Sequence, residues 1–177
     1  IYVVSKNVEH IVLPISIYTV FHEIKLKQIW MEKTVKNKII LLNEIEKKIK
    51  NLKLLKKKIV HCHGVFDLLH PGHLMYFNSA KKFGDILIVS VTSDQFVNKG
   101  FNRPYFDLNT RINMISELSV VDFVCESNNS SAVEIIKKIK PNIYCKGPDY
   151  KNFKNDYSKN ILEENKDIKK VKGKIKF

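Results

Sequence analysis

The chain has 177 residues, 44% of them hydrophobic, which is enough for one ordinary core and too little for two substantial ones. Charged residues make up 28% and there are only 6 Gly and 5 Pro, a composition that excludes disordered and collagen-like classes. The longest apolar run, Ile11 to Phe21, is broken by Pro14 and Ser16 and falls short of the roughly 20 residues a membrane-spanning helix needs. No basic stretch, apolar stretch and small-residue cleavage site follow one another at the start, so no secretory signal is read. Cys62, Cys125 and Cys145 are odd in number, far apart and without metal-ligand spacing. They predict reduced thiols in a cytoplasmic setting.

The net charge of +13 would suggest a nucleic-acid partner if it were concentrated in one working region. It is not. Residues 59 to 150 carry 9 basic and 9 acidic side chains, and the excess comes from residues 1 to 58, at +8, and 151 to 177, at +5. No nucleic-acid partner is expected. Only two of the 31 basic residues are arginine, Arg103 and Arg111, and both fall in the neutral middle. In a sequence biased toward lysine, a retained arginine marks a position that needs a planar fork of donors.

In chain order, residues 1 to 31 fit no period and are left as an unassigned extension. From Glu32 to Leu55 the apolar positions Val35, Ile39, Leu42, Ile45, Ile49 and Leu52 step by three and four. That spacing predicts an amphipathic helix, within 32 to 58, packed on the domain. A membrane-surface helix is the competing reading of its Lys-rich face. Ile59 to His63 reads as a buried strand ending at Gly64, and Pro71 to Phe83 as a helix with proline at its first position. Asp85 to Thr92, Val120 to Cys125 and Asn142 to Cys145 read as further strands. Leu108 to Leu118, Ser131 to Lys140 and Asn155 to Lys166 read as helices, and Val171 to Phe177 as an edge strand. Alternation of this kind predicts an α/β fold, a Rossmann-like open parallel sheet with helices on both faces, over residues 59 to 177.

The segment His63-Gly64-Val65-Phe66-Asp67-Leu68-Leu69-His70-Pro71-Gly72-His73 carries the chemistry. Gly64 stands where a strand must turn, and the amides after it can point at a phosphate. His70 and His73 lie three apart across a helix start, on one face, beside the positive end of the helix dipole. Gly72 between them keeps the approach bare. Two histidines at this spacing also suit a metal, but no third ligand with suitable spacing is visible.

The strand-turn-helix context, with GVFD ahead of HPGH, resembles the HxGH nucleotidyltransferase (cytidylyltransferase-like) superfamily. The wider string is similar to its heptose-phosphate nucleotidyltransferase branch: AKKFGDILIVSVTSD (Ala80 to Asp94), NKGFNRP (Asn98 to Pro104), the Arg111 helix, VVDFV (Val120 to Val124) and KPNIYCKGPDY (Lys140 to Tyr150). The resemblance implies that His70 and His73 contact the α and β phosphates, and that Lys99 neutralises phosphate charge. Arg111 would hold the triphosphate or the acceptor phosphate. Gly64, Val65, Phe66 and Gly72 would hold the nucleotide at the turn, with Gly147, Asp149 and Tyr150 near base and ribose. Arg103 reads equally as a salt-bridged loop residue, and Asp67 and Asp94 equally as residues that orient turns. Cys62 and Cys145 read as packing.

The reaction so implied is in-line attack of an acceptor phosphate on the α-phosphorus with loss of pyrophosphate, without a nucleophilic side chain and with Mg²⁺ on the phosphates. Adenylyl transfer to a heptose-type sugar phosphate is the expected case. A glycerol-phosphate-type cytidylyltransferase and a non-catalytic nucleotide-binding module are the alternatives. The resemblance also leaves a homodimer and a fused sugar-kinase domain as partners to look for. The family usually closes this domain with a Ser- or Thr-rich segment, and no such run follows here, so a fragment or an incomplete domain is expected.

Overall fold

The computed structural model describes residues 2–4, 11–13, 22, 38–151 and 160–177. The chain divides into two compact units, residues 1–37 and 38–177. In the first, β1 (Tyr2–Val4) and β2 (Ile11–Leu13) pair antiparallel, Val3 opposite Val12.

The second unit alternates strand and helix: β3 (Ile39–Ile40), α1 (Ile45–Leu54), β4 (Ile59–Gly64), α2 (Pro71–Lys81), β5 (Ile86–Thr92), α3 (Leu108–Ser116), β6 (Phe123–Ser127), α4 (Val133–Ile139), β7 (Ile143–Cys145), α5 (Asn160–Lys170) and β8 (Lys174–Lys176). Its six strands form one parallel sheet in the order β3-β6-β5-β4-β7-β8. The predicted α/β sheet is therefore present, with β4 and β5 at its centre.

Side chains leaving alternate faces of these strands build two cores. On one face Val60, Cys62, Leu87, Val89 and Val91 pack with Phe77 and Ala80 of α2 and Ile112 and Ile115 of α3. On the other, Ile59, Ile88, Cys125 and Tyr144 pack with Ile45 and Ile49 of α1, Ile136 and Ile139 of α4 and Ile168 of α5. Polar side chains then pin the strand entries. Asp85 accepts from the Lys58 amide at 2.7 Å, Asn142 from Ile59 at 2.8 Å, and Asp122 from Leu87 at 2.6 Å.

The helix expected over 32 to 58 is corrected. Among the described residues of that span only Ile45–Leu54 is helical, while Ile39 and Ile40 form an edge strand beside Val124 and Cys125. Val35 lies outside the described residues. The apolar spacing ran on because Ile39 packs into one core while Ile45, Ile49 and Leu52 pack into the other, so a strand residue happened to fall in step with the helix that follows it. The other elements fall within a few residues of expectation. The last helix is described over Asn160–Lys170, running past the expected end at Lys166, while residues 155–159 of the expectation lie outside the described residues.

Candidate active site

At the carboxyl end of β4 the chain reverses through Gly64-Val65-Phe66-Asp67. The strain of that reversal sits on Phe66, at φ +48° in the left-handed region, rather than on Gly64. The Phe66 ring is buried, packs on Phe77 at 5.0 Å and meets His73 edge-on at 5.4 Å. Gly64 leaves room for that ring, since a Cβ there would lie 3.0 Å from it. Asp67 is buried and accepts from the amides of Tyr105 (2.8 Å) and Phe106 (3.1 Å) and from Arg103 (2.5 Å). Burial pushes its carboxyl up, but the two amides and the guanidinium outweigh it and hold it below the usual carboxylate range. Asp67 and Arg103 thus tie the 98–106 loop to the turn, which settles both on the orienting side of their two readings.

His70 is the N-cap of α2. Its Nδ1 accepts the Gly72 amide at 3.1 Å, and Pro71 occupies the first helical position. Accepting at Nδ1 leaves Nε2–H as the outward donor of the neutral ring. A Cβ on Gly72 would lie 2.8 Å from His70 Cε1, so this glycine makes room for the capping imidazole. The His70 and His73 rings stand 3.9 Å apart between centroids. Burial first, and then the neighbouring His70 and Lys99, lower the His73 pKa, so the ring is a neutral donor near pH 7. Its Nδ1 is buried and finds no partner among the described residues.

These groups open onto one cleft of about 480 Å³. Gly64, Val65, Phe66, His70, Gly72, His73, Lys99, Gly147 and Tyr150 all line it. The backbone of Asp149 lies in the short 3₁₀ turn Pro148–Lys151, and its side chain is outside the described residues.

Arg111 requires a correction. It does not line the cleft, its side chain is wholly buried, and its fork is spent on protein acceptors. These are Phe106 O (2.9 Å), Val65 O (2.6 Å), Thr92 O (2.8 Å) and Asp94 Oδ1 (2.6 Å). The need for a planar fork was legible, but the acceptors are main-chain carbonyls of three converging segments rather than phosphate. Asp94, which also takes the Leu108 amide, belongs to the same orienting network.

Sequence reasoning passed over His63, Thr92, Lys146 and Glu164, which also line the cleft. Glu164 is buried, accepts from the Ala132 amide at 3.1 Å and lies 2.9 Å from Lys146 Nζ. An acid three positions after Ile161 on the apolar stripe of α5 was the signal available. Cys62 and Cys145 are buried, as packing requires.

His61 and His63 on β4 are both held neutral. Burial comes first, and pushes His63 down to about 3 and His61 well below its ordinary value. For a histidine whose folded pKa lies below its unfolded value, the unfolded chain takes up protons the folded chain refuses, so stability is complete above about pH 6.5 and falls below it. Between pH 6.5 and 4.5, His63 alone should cost about 2 kcal/mol. Urea unfolding at several pH values should show this slope, and His63→Gln should flatten it by about half; an unchanged slope would contradict the assignment.

Residues 61–175 match the family model described as cytidylyltransferase-like. The chain belongs to that family. Among curated relatives it is 37% identical over 137 residues to the bifunctional protein HldE of Helicobacter hepaticus, covering 75% of this chain and 28% of that protein. It is 40% identical over 115 residues to the HldE of Actinobacillus pleuropneumoniae serotype 5b, covering 64% and 24%. The chain thus spans about a quarter of the length of these relatives. Among solved structures, a lipopolysaccharide core biosynthesis protein from Thermoplasma volcanium is 32% identical with a TM-score of 0.55, covering 68% of this chain and 93% of that one. Pantoate-beta-alanine ligase from Francisella tularensis, 18% identical with a TM-score of 0.51 over 78% of this chain and 66% of its own, shares the fold alone. Among the described residues no helix is long and apolar enough to cross a membrane.

Proposed function

We propose that this domain transfers the adenylyl group of ATP to a heptose-type sugar phosphate and releases pyrophosphate. The observation that carries the reading is the pair His70 and His73 at the amino end of α2, their rings 3.9 Å apart and tilted at 37°, lining with Lys99 the cleft that the family turn builds. The relatives named HldE favour a sugar phosphate over glycerol phosphate as the acceptor.

In-line transfer to the acceptor phosphate needs no covalent intermediate on the protein. An acceptor phosphate oxygen forms a bond to the α-phosphorus while the bond from that phosphorus to the bridging oxygen breaks, and pyrophosphate carries away the electron pair. His70 Nε2–H, His73 and the Lys99 ammonium then act where charge gathers on the leaving group, with the amides at the start of α2 behind them. Fixed donors in a cleft cost little reorganisation during the step.

Among the described residues no group of three or more His, Cys, Asp or Glu is placed to hold a metal. The carboxylate that lines the cleft, Glu164, is engaged by Lys146 and the Ala132 amide. Mg²⁺ enters this proposal as part of the metal–nucleotide substrate, held chiefly by the phosphates.

The relatives extend far beyond the matched segment, which supports a fused second domain, the sugar kinase of the resemblance, in the whole protein. Three buried, unpaired cysteines support a reducing, cytoplasmic compartment.

A pyrophosphate-release screen of the four nucleoside triphosphates against heptose phosphates, hexose phosphates and glycerol phosphate tests the reading. ATP with a heptose phosphate should give the highest kcat/KM. Turnover of CTP with glycerol phosphate would replace it with the cytidylyl alternative, and triphosphate binding without pyrophosphate release would replace it with a binding module.

A further inference from the structure

Strands β4 and β5 carry a buried polar line that the transfer chemistry does not use. His61, wholly buried, has Nε2 2.8 Å from Ser90 Oγ, and the same hydroxyl lies 2.8 Å from His63 Nδ1. The Nδ1 of His61 is buried and finds no partner among the described residues. At the other end, His63 Nε2 is 3.5 Å from Thr92 Oγ1, too long for a good hydrogen bond, and both residues line the cleft.

A serine hydroxyl has one proton, so Ser90 donates to one imidazole and accepts from the other. Buried N–H groups without an acceptor are rarer in folded proteins than buried acceptors without a donor. His61 therefore leaves Nδ1 bare, keeps its proton on Nε2 and donates it to Ser90 Oγ. Ser90 in turn donates to His63 Nδ1, which places the His63 proton on Nε2, at the cleft. Burial keeps both rings neutral, and the charge on Lys146 adds to the effect. The whole line points one way, from His61 through Ser90 to a single N–H at the floor of the cleft.

We infer that His63 is a substrate-contacting residue whose Nε2–H donates to an acceptor atom of the nucleoside part of the triphosphate, a ring nitrogen or a ribose oxygen. This rests on the nucleotide-transfer reading above. The nucleoside is the part it fits because the phosphate-facing groups His70, His73 and Lys99 come from α2 and the 98–106 loop, whereas His63 sits on the strand ends among uncharged or neutralised neighbours. Lys146 there is matched by Glu164, and Thr92 offers a hydroxyl. A neutral donor selects for the presence of an acceptor rather than for charge, and a site built around such a donor discriminates against a ligand that lacks the partner.

Calorimetric titration of the full chain with ATP and with inorganic tripolyphosphate separates the two parts of the site. His63→Leu should weaken ATP binding tenfold or more and leave tripolyphosphate within about twofold. His63→Gln, which keeps an N–H near the Nε2 position, should recover most of the loss. Long-range proton–nitrogen spectra of the unmutated chain should show His63 protonated at Nε2 and bare at Nδ1, a readout that no variant's folding can obscure. Equal losses for the two ligands, or a proton on Nδ1, would overturn the inference while leaving the transfer reading intact. A wild-type chain that binds neither ligand would overturn both.

Discussion

His73→Ala is expected to lower kcat by about a hundredfold to a thousandfold, the cost typical of removing one donor from a charge-stabilising site. The ring stands in the cleft rather than in either core, touches Phe66 only edge-on at 5.4 Å and is half-buried, so the circular-dichroism spectrum should persist. The KM for the sugar phosphate should move much less than kcat, because the lost interaction belongs to the leaving group and grows in the transition state. His70→Ala should behave differently. Its imidazole also caps α2 through the Gly72 amide, so it should lose about 1 kcal/mol of stability together with activity. A His73→Ala enzyme with nearly unchanged kcat would remove this residue from the chemistry, and a collapsed spectrum would make it structural.

The second large effect is expected at Arg111. Its guanidinium joins Val65 at the turn, Thr92 at the end of β5 and Phe106 in the loop, with Asp94 as charge partner. Lysine supplies one ammonium on a stem that ends short of this fan of acceptors, so at least one buried carbonyl would lose its donor. Arg111→Lys should therefore destabilise the domain by about 2 to 4 kcal/mol, lowering Tm by roughly 4 to 15 °C at this size. Activity should fall with it, because Val65 belongs to the turn that faces the nucleotide. Arg103→Lys should do far less, since that side chain is 30% exposed and its partner Asp67 keeps two amides. Equal Tm values for Arg111→Lys and the parent would contradict the buried network.

The contrast between the two arginines shows what the sequence could and could not disclose. Its bias toward lysine marked Arg111 as a position that needs a fork, and that inference concerned side-chain geometry. Whether the fork meets phosphate or backbone carbonyls depends on which segments converge on it, and those segments lie 5 to 46 residues away in the chain. The order of strands and helices was legible because β4 and β5 carry short β-branched runs, Ile59-Val60 and Ile86 to Val91, interrupted only by His61 and His63 in the first and Ser90 in the second. The 32 to 58 helix was misjudged because Ile39, on an edge strand and packed in the other core, fell in step with the spacing of α1. His70, His73 and the turn could be read because contiguous residues build them. The opposite wall of the cleft could not, because Lys146 and Glu164 meet only through the pairing of β4 with β7 and the packing of α5.

The most direct test of the central claim uses ATP labelled at the α-phosphorus, with a heptose phosphate as acceptor, and follows where the label goes. In-line transfer at the His70–His73 pair predicts that label and adenosine both enter the sugar product, with one pyrophosphate released for each product formed. Label left in free nucleotide, or transfer of the γ-phosphate instead, would contradict it.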